Sequence, residues 1–258
     1  MEFPARVRQQ SCRDCLSGAD LGFQIRMAFQ PIIEWSSQSI IGYEALVRGE
    51  HGEGAAQVLS RVTEQNKYYF DQACRVKAIE TATRLGLDKL LSINFFPNAV
   101  YNPETCIRAT IEAADMYGFD IRNIMFEVTE GEQILSHRHL LHIFQSYAER
   151  GFITAIDDFG SGFAHEDWLS TLKPRVLKLD MALIRDIDQD QAKQQRLLTI
   201  QAQCELLGTQ LLAEGIESAA ELAWLVSIGI DWFQGYYFAR PLLEQLQPAA
   251  EIAVLNAN

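Results

Sequence analysis

The chain of 258 residues contains no apolar run approaching the roughly 18 residues that a membrane-spanning helix needs. Basic residues are also in short supply, with 22 Lys and Arg against 34 Asp and Glu and a net charge of −12. Binding to a DNA or RNA polymer relies on basic surface to displace counterions, so that class of partner is excluded. An anionic small molecule is not excluded, provided that bound metal ions reverse the charge locally. Cysteines are few and odd in number: Cys12, Cys15, Cys74, Cys106 and Cys204. With no secretory pattern beside them, they argue against a disulfide framework, and the last three are expected to be buried thiols. Arg6, Arg8, Arg13 and Asp14 interrupt any apolar signal core at the N-terminus, so the expected location is cytoplasmic. Cys12-Arg13-Asp14-Cys15 is a lone CxxC with no second pair at zinc-finger spacing. Residues 1–24 are therefore expected to be a plain extension, with a thiol switch as the lesser reading.

From residue 25 onward the chain alternates. Ile25–Ile33 and Ile40–Val47 have the composition of strands, and the short polar link between them predicts an antiparallel pair. Helical spacing follows at Ala55–Glu64 and Asp71–Leu85. Strands are then predicted at Lys89–Phe95, Asn123–Val128, Phe152–Ile156, Arg175–Leu179, Gln210–Ala213 and Ile230–Phe233. The helices between them are Pro103–Tyr117, Ser136–Arg150, a short one within Ser161–Leu172, Gln191–Leu207 and Ala219–Ile228. Sustained β-α alternation implies a parallel sheet with helical crossovers. Eight strands in this length favour a TIM-like (β/α)8 barrel over residues 25–250, with one antiparallel strand near the N-terminus. An open doubly wound sheet is the alternative, but no GxGxxG follows the first strand and there is no P-loop.

Polar residues gather at the C-terminal ends of these predicted strands: Asn94, Glu127, Asp157, Asp158, Lys178, Glu214 and Gln234. A barrel brings them round one mouth, where such folds place their active sites. Taken alone, Asp157-Asp158 reads either as a polar turn or as half a metal site. A carboxylate or amide on nearly every strand end is harder to explain as packing, because each uncompensated buried charge costs several kcal/mol. The candidate ligands are all oxygens, which selects Mg²⁺ or Mn²⁺ over Zn²⁺ or copper. Adjacent aspartates can divide between two ions about 3.5–4 Å apart, an arrangement suited to in-line attack of water at phosphorus. Lys178 could orient that water, and Arg48 could make a bidentate phosphate contact. The bland readings are an apolar-covering stem for Lys178 and a surface ion pair for Glu44 and Arg48.

Glu44-Ala45-Leu46, Asn94, Phe126-Glu127-Val128-Thr129-Glu130, Asp157-Asp158-Phe159-Gly160, Leu177-Lys178-Leu179-Asp180, Ala213-Glu214-Gly215-Ile216-Glu217 and Gln234-Gly235-Tyr236 occur in this order. Together they resemble the EAL-domain cyclic-di-GMP phosphodiesterases, from about Phe29 to Pro241. The resemblance implies metal-dependent hydrolysis of cyclic di-GMP to linear pGpG in bacterial signalling. It implies one ion held by Glu44, Asn94, Glu127 and Asp157, and a second held by Asp157, Asp158 and Glu214. It further implies that Lys178 contacts the attacking water and that Glu217 supports the centre. Gln30, Leu46, Arg48, Asp180 and Gln234 would hold the dinucleotide. Glu130 would brace the loop after the aspartate pair, which the family links to homodimerisation and to control of the second ion.

The departures from the family pattern fall in that loop. Ser161 keeps a hydroxyl and Ala164 is small, whereas Phe163 and His165 stand where the family commonly has a tyrosine and a second small residue. They put regulation in question more than chemistry. A catalytically silent cyclic-di-GMP receptor acting through a protein partner is the second reading. Every metal position and the lysine are filled, which favours the enzyme.

Overall fold

The computed structural model describes residues 21–100, 102–129, 134, 136–161 and 166–256. The Cys12/Cys15 pair, Glu130 and the Phe163–His165 departures lie outside them. Strand β1 (Ile25–Glu34) turns directly into β2 (Ser39–Gly49). The two are antiparallel, with Gln30 opposite Glu44, as the short polar link predicts. Helices α1 (Ala55–Leu59) and α2 (Lys67–Arg84) then lead to β3 (Leu90–Asn94). Helices α3 (Pro103–Cys106) and α4 (Arg108–Tyr117) precede β4 (Ile124–Thr129), and α5 (His137–Glu149) precedes β5 (Ile153–Phe159). The chain continues through α6 (Glu166–Leu172), β6 (Val176–Leu179), α7 (Met181–Ile184), α8 (Gln191–Leu207), β7 (Gln210–Ala213), α9 (Ala219–Ser227) and β8 (Trp232–Phe233). A short β9 (Leu242–Leu243) ends the sheet.

Strands β2 to β8 pair in sequence order and in parallel. β1 closes the circle, antiparallel to β8 on one side and to β2 on the other, and β9 adds to β1 outside the eight. The expected barrel with one reversed strand is therefore the fold. Three of the crossover helices begin at side-chain caps. Ser136 caps α5 by accepting from the His139 N–H, Asp190 caps α8 by accepting from Ala192 and Lys193, and Ser218 with Glu221 forms a capping box on α9. The single helix predicted over Pro103–Tyr117 is interrupted at Ile107, although backbone bonds from Ile107 to Pro103 and from Ile111 to Ile107 keep it nearly continuous. The helix predicted to reach Glu64 ends at Leu59. Among the described residues, no helix is long and apolar enough to cross a membrane. Cys74, Cys106 and Cys204 are buried free thiols, as expected.

The core has two parts. The larger lies between barrel and helices and contains the outward residues of the strands, such as Phe29, Leu91, Phe126, Ile156 and Leu177. A smaller cluster fills the barrel interior: Ile32, Leu90, Met125, Ala155, Val176 and Leu212. Side chains of one strand face alternate sides, so the next inward position lies two residues on. Stepping by two from that apolar layer gives Ser92, Glu127, Asp157, Lys178 and Glu214, and stepping backward along the reversed β1 gives Gln30. The floor of the barrel is thus apolar and its C-terminal mouth is polar, from the same strands and the same parity.

Candidate functional site

Lys178 stands at the centre of this polar layer with 0% of its surface exposed. Its Nζ lies 2.9 Å from Glu214 Oε1, 3.0 Å from Asp157 Oδ1, 3.0 Å from Glu127 Oε2 and 3.6 Å from Glu44 Oε2. Nζ makes no well-aligned hydrogen bond to any of them, so charge attraction rather than directed bonding holds it. Burial works against the ammonium, but Asp157, Glu127, Glu214 and Glu44 outweigh it and hold its pKa well above the ordinary lysine value. Lys178 is therefore not a stem laid over apolar surface. Nor do Glu44 and Arg48 form a surface ion pair: Glu44 is buried in this cluster, and Arg48 Nη1 donates to the Val47 carbonyl at 2.8 Å.

The carboxylates fall into two groups of three that share a member. Glu44, Glu127 and Asp157 each offer one oxygen, all within 4.8 Å of one another, and so do Asp157, Asp158 and Glu214. Asn94 meets the first group from its edge. Its Nδ2 donates to Glu127 Oε1 at 2.7 Å and to Glu44 Oε1 at 3.1 Å, so it would present Oδ1 to a cation after rotation of its amide. Burial, followed by repulsion from Asp157, lifts the Glu214 carboxyl well above the usual range. Glu127 is likewise raised, by burial against the opposing pull of Lys178. Burial and then Asp157 push Asp158 up to about 7. Clustered carboxylates that resist ionisation call for added positive charge, and an all-oxygen donor set fits hard divalent cations.

The position of Asp158 depends on a local departure from the strand. In a regular strand, adjacent side chains face opposite sides, which would send Asp157 into the barrel and Asp158 out of it. The pairing of β5 with β6 shifts register between Ile156 and Phe159, and Asp158 adopts φ +56°. Aspartate tolerates this left-handed conformation better than most residues. The bulge brings both carboxylates to one site, and it explains why β5 runs to Phe159 instead of stopping at the predicted Ile156.

The other predicted residues divide by place. Gln30 and Gln234 are buried beside the cluster: Gln234 Nε2 donates to Glu44 Oε2 at 2.7 Å and to Gln30 Oε1 at 3.1 Å. A cavity of about 330 Å³ opens above them, lined by Gln30, Glu44, Asp157, Asp158, Asp180 and Glu214, and also by Glu217 and Gln234. Asp180 caps α7 by accepting from the Ala182 N–H at 2.7 Å. Glu217 is exposed and pairs with Arg185 Nη1 at 2.8 Å, apart from the Lys178 cluster. Leu46 and Asn94 line a neighbouring, mainly apolar cavity of about 220 Å³ with Phe70, Phe95 and Phe96. Sequence reasoning missed Ser92, whose buried hydroxyl donates to Glu127 Oε2. Its signal was available: it is the inward position two residues before Asn94.

An eight-stranded barrel with two carboxylate triads round a buried lysine at its C-terminal mouth belongs to the class of TIM-like barrels built to hold metal ions there. Within that class, the EAL-domain profile matches residues 16–241, and the chain belongs to the EAL domain family. A standalone versatile EAL protein from Vibrio cholerae O395, solved in its c-di-GMP-bound form, is 51% identical, with a TM-score of 0.86 over 89% of this chain and 97% of that one. Klebsiella pneumoniae BlrP1, solved with calcium and cyclic di-GMP, is 30% identical, with a TM-score of 0.82 over 89% of this chain and 58% of that one. Among curated relatives, the Escherichia coli K12 blue light- and temperature-regulated antirepressor BluF is 30% identical over 86% of this chain. The cyclic di-GMP phosphodiesterase PdeR of the same strain is 26% identical over 85%. The chain spans 56% of BluF and 34% of PdeR.

Proposed function

We propose that the protein is a metal-dependent phosphodiesterase that hydrolyses one phosphodiester of cyclic di-GMP to give linear pGpG. The observation that carries this reading is the pair of carboxylate triads sharing Asp157, closed round Lys178. Glu44, Asn94, Glu127 and Asp157 would hold one Mg²⁺ or Mn²⁺ ion, and Asp157, Asp158 and Glu214 a second. Such ions make water acidic enough to attack at neutral pH and offset the charge on the phosphate. Lys178 orients the attacking water oxygen by donating to it, while its charge faces the phosphate. The water oxygen forms the new bond to phosphorus, the bond from phosphorus to the ribose oxygen breaks, and that oxygen leaves with a proton. Gln30, Gln234 and Asp180 line the cavity and present amide and carboxylate groups to the dinucleotide backbone. Leu46 offers apolar contact from the adjoining cavity. Arg48 reaches a phosphate by leaving the Val47 carbonyl, and Glu217 steadies the loop after β7 through Arg185.

The relatives named for cyclic-di-GMP hydrolysis and the complexes solved with that dinucleotide support the choice of substrate. BluF, named as an antirepressor, supports a second reading in which the chain binds the dinucleotide without cleaving it. Chromatography of products after incubation with cyclic di-GMP and Mn²⁺ separates the two. The enzyme reading expects pGpG from the wild type and none from Glu44→Gln or Lys178→Met. Wild-type protein that binds the dinucleotide and leaves it intact would establish the receptor instead.

A further inference from the structure

One buried ion pair lies outside the polar mouth yet touches the strands that form it. Arg75 and Asp71, on successive turns of α2, are 0% and 2% exposed, and Arg75 Nη2 lies 2.6 Å from Asp71 Oδ2. Stability explains such a pair poorly, since well-packed apolar residues in its place are often neutral or stabilising. Arg75 Nε adds to the cost, being buried with no hydrogen-bond partner among the described residues.

Both members reach the backs of Asn94 and Glu127. Asn94 ends β3: pairing with β2 stops at Ile93, and pairing with β4 stops at Asn94 itself. The next two peptide N–H groups are held one by one. That of Phe95 donates to the Glu127 carbonyl at 3.1 Å, and that of Phe96 donates to Asp71 Oδ1 at 2.9 Å. Strand alternation turns Asn94 and Glu127 into the barrel and their neighbours Phe95 and Phe126 out of it. The Arg75 guanidinium lies over both outward rings, 5.0 Å from the centroid of Phe126 and 5.5 Å from that of Phe95. Its Nη1 donates to the Tyr147 hydroxyl at 3.0 Å, and the Tyr147 ring packs against the same two phenylalanines at 5.1 and 5.8 Å. Among the described residues, neither Asp71 nor Arg75 makes a hydrogen bond or ion pair with the segments that carry Asp158 and Glu214.

We propose that Asp71 and Arg75 are positioning residues for the first metal ion: Asp71 fixes the backbone just beyond Asn94, and Arg75 holds the rings behind Asn94 and Glu127. This inference rests on the proposed metal centre and deepens it. Asn94 is exposed at the end of its strand, so the direction of its side chain depends on how firmly the next two peptide groups are held. Glu127 lies within β4 and depends on the pair less. Asp158 and Glu214, which would serve the second ion, do not depend on it. Losing the pair therefore weakens one ion selectively, which general destabilisation does not do. Groups that orient metal ligands are commonly worth about 10–100-fold in metal affinity.

Calorimetric titration of the metal-stripped whole chain with Mn²⁺, well below its unfolding midpoint, tests this. Asn94→Ala and Asp158→Asn mark which ion is which. In Asp71→Leu/Arg75→Leu, which removes both charges together, the affinity of the first ion should fall about tenfold while that of the second stays at the wild-type value. Asp71→Asn/Arg75→Leu restores an acceptor for the Phe96 N–H and should recover most of the loss. Equal weakening of both ions, an unchanged first ion, or no recovery in the asparagine variant would overturn the proposal. If the leucine pair does not fold, Arg75→Lys decides, since it keeps the charge beside Asp71 but not the planar cover over the rings. A loss confined to the first ion then supports the proposal, and a loss shared by both ions, or none, overturns it. Wild type that binds no Mn²⁺ refutes the metal centre instead. The side-chain amide NMR signal of Asn94 in the metal-free protein then decides the positioning role. It should move in the leucine pair while that of Gln234, which also donates to Glu44, stays in place. An unmoved Asn94 signal, or equal movement of both, overturns the role.

Discussion

Lys178→Met removes the one cation among the described residues that contacts both carboxylate triads, while roughly preserving side-chain length and volume. At an effective dielectric constant of about 20, each contact near 3 Å carries about 5 kcal/mol of Coulomb attraction. Burying the ammonium cancels much of that sum, and the net cost of leaving a buried pair broken is about 3–5 kcal/mol. The carboxylates can also escape by taking up protons. Burial already lifts Glu127 and Glu214 well above the usual range, and Asp158 to about 7. The full loss is therefore expected near pH 8, where ionisation is most complete, and a smaller one at pH 5, where protons replace the missing ammonium. For a domain of this length, 3–5 kcal/mol corresponds to a fall of about 6–20 °C in the unfolding midpoint. Circular dichroism melts of chelated wild type and variant at pH 5 and pH 8, repeated with saturating Mn²⁺, measure it. Added divalent charge should raise the variant more than the wild type and narrow the gap. A variant as stable as wild type at pH 8 without metal, or a deficit equal at both pH values, would refute Lys178 as the internal counter-charge of the cluster.

Asp158→Asn keeps a residue that tolerates φ +56° but removes a charge from the second triad. Its melting temperature should stay within a few degrees of wild type, while calorimetry should find weaker binding of a second Mn²⁺ ion and product assays most of the turnover gone. In the wild type, Glu127, Glu214 and Asp158 have folded-state pKa values raised above those of the unfolded chain. Their contribution to stability is fully present below the unfolded value of about 4 and is lost as pH rises through the folded value, about 7 for Asp158. This contribution makes metal-free protein less stable at pH 8 than at pH 5 in melts, and Mn²⁺ affinity should rise over the same window with release of protons. Arg75 is fully buried, pairs with Asp71 at 2.6 Å, donates to the Tyr147 hydroxyl at 3.0 Å and lies over the ring of Phe126. Arg75→Leu strands the buried Asp71 and should cost about 3–5 kcal/mol in urea unfolding, with Asp71→Leu added to it recovering part of the loss.

The sequence carried the barrel and most of its mouth because both depend on short-range periodicity. Once a strand end is placed, the inward residues follow at steps of two, and Leu90-Ser92-Asn94 or Val176-Lys178 can be read directly. What could not be read depends on closure. Glu44 and Gln234 are 190 residues apart in sequence and 2.7 Å apart in space, and nothing local announces that pairing. Arg75 is buried on α2 together with the apolar Ala73, Val76 and Ile79, because Asp71 and Tyr147 make a polar pocket that only the packed helices create. Arg48 and Lys178 show the same limit from the other side: both are cations close to acidic residues in sequence, yet of the two only Lys178 reaches the carboxylates. The aspartate pair is the sharpest case. Two neighbours in a strand should face opposite ways, so alternation by itself would assign Asp157 to the site and Asp158 to the barrel exterior. The shift in register after Ile156 and the left-handed turn at Asp158 reverse that assignment. The second triad therefore owes its existence to one residue's backbone conformation, and a substitution that forces Asp158 back to a regular strand should abolish it while every carboxylate is still present.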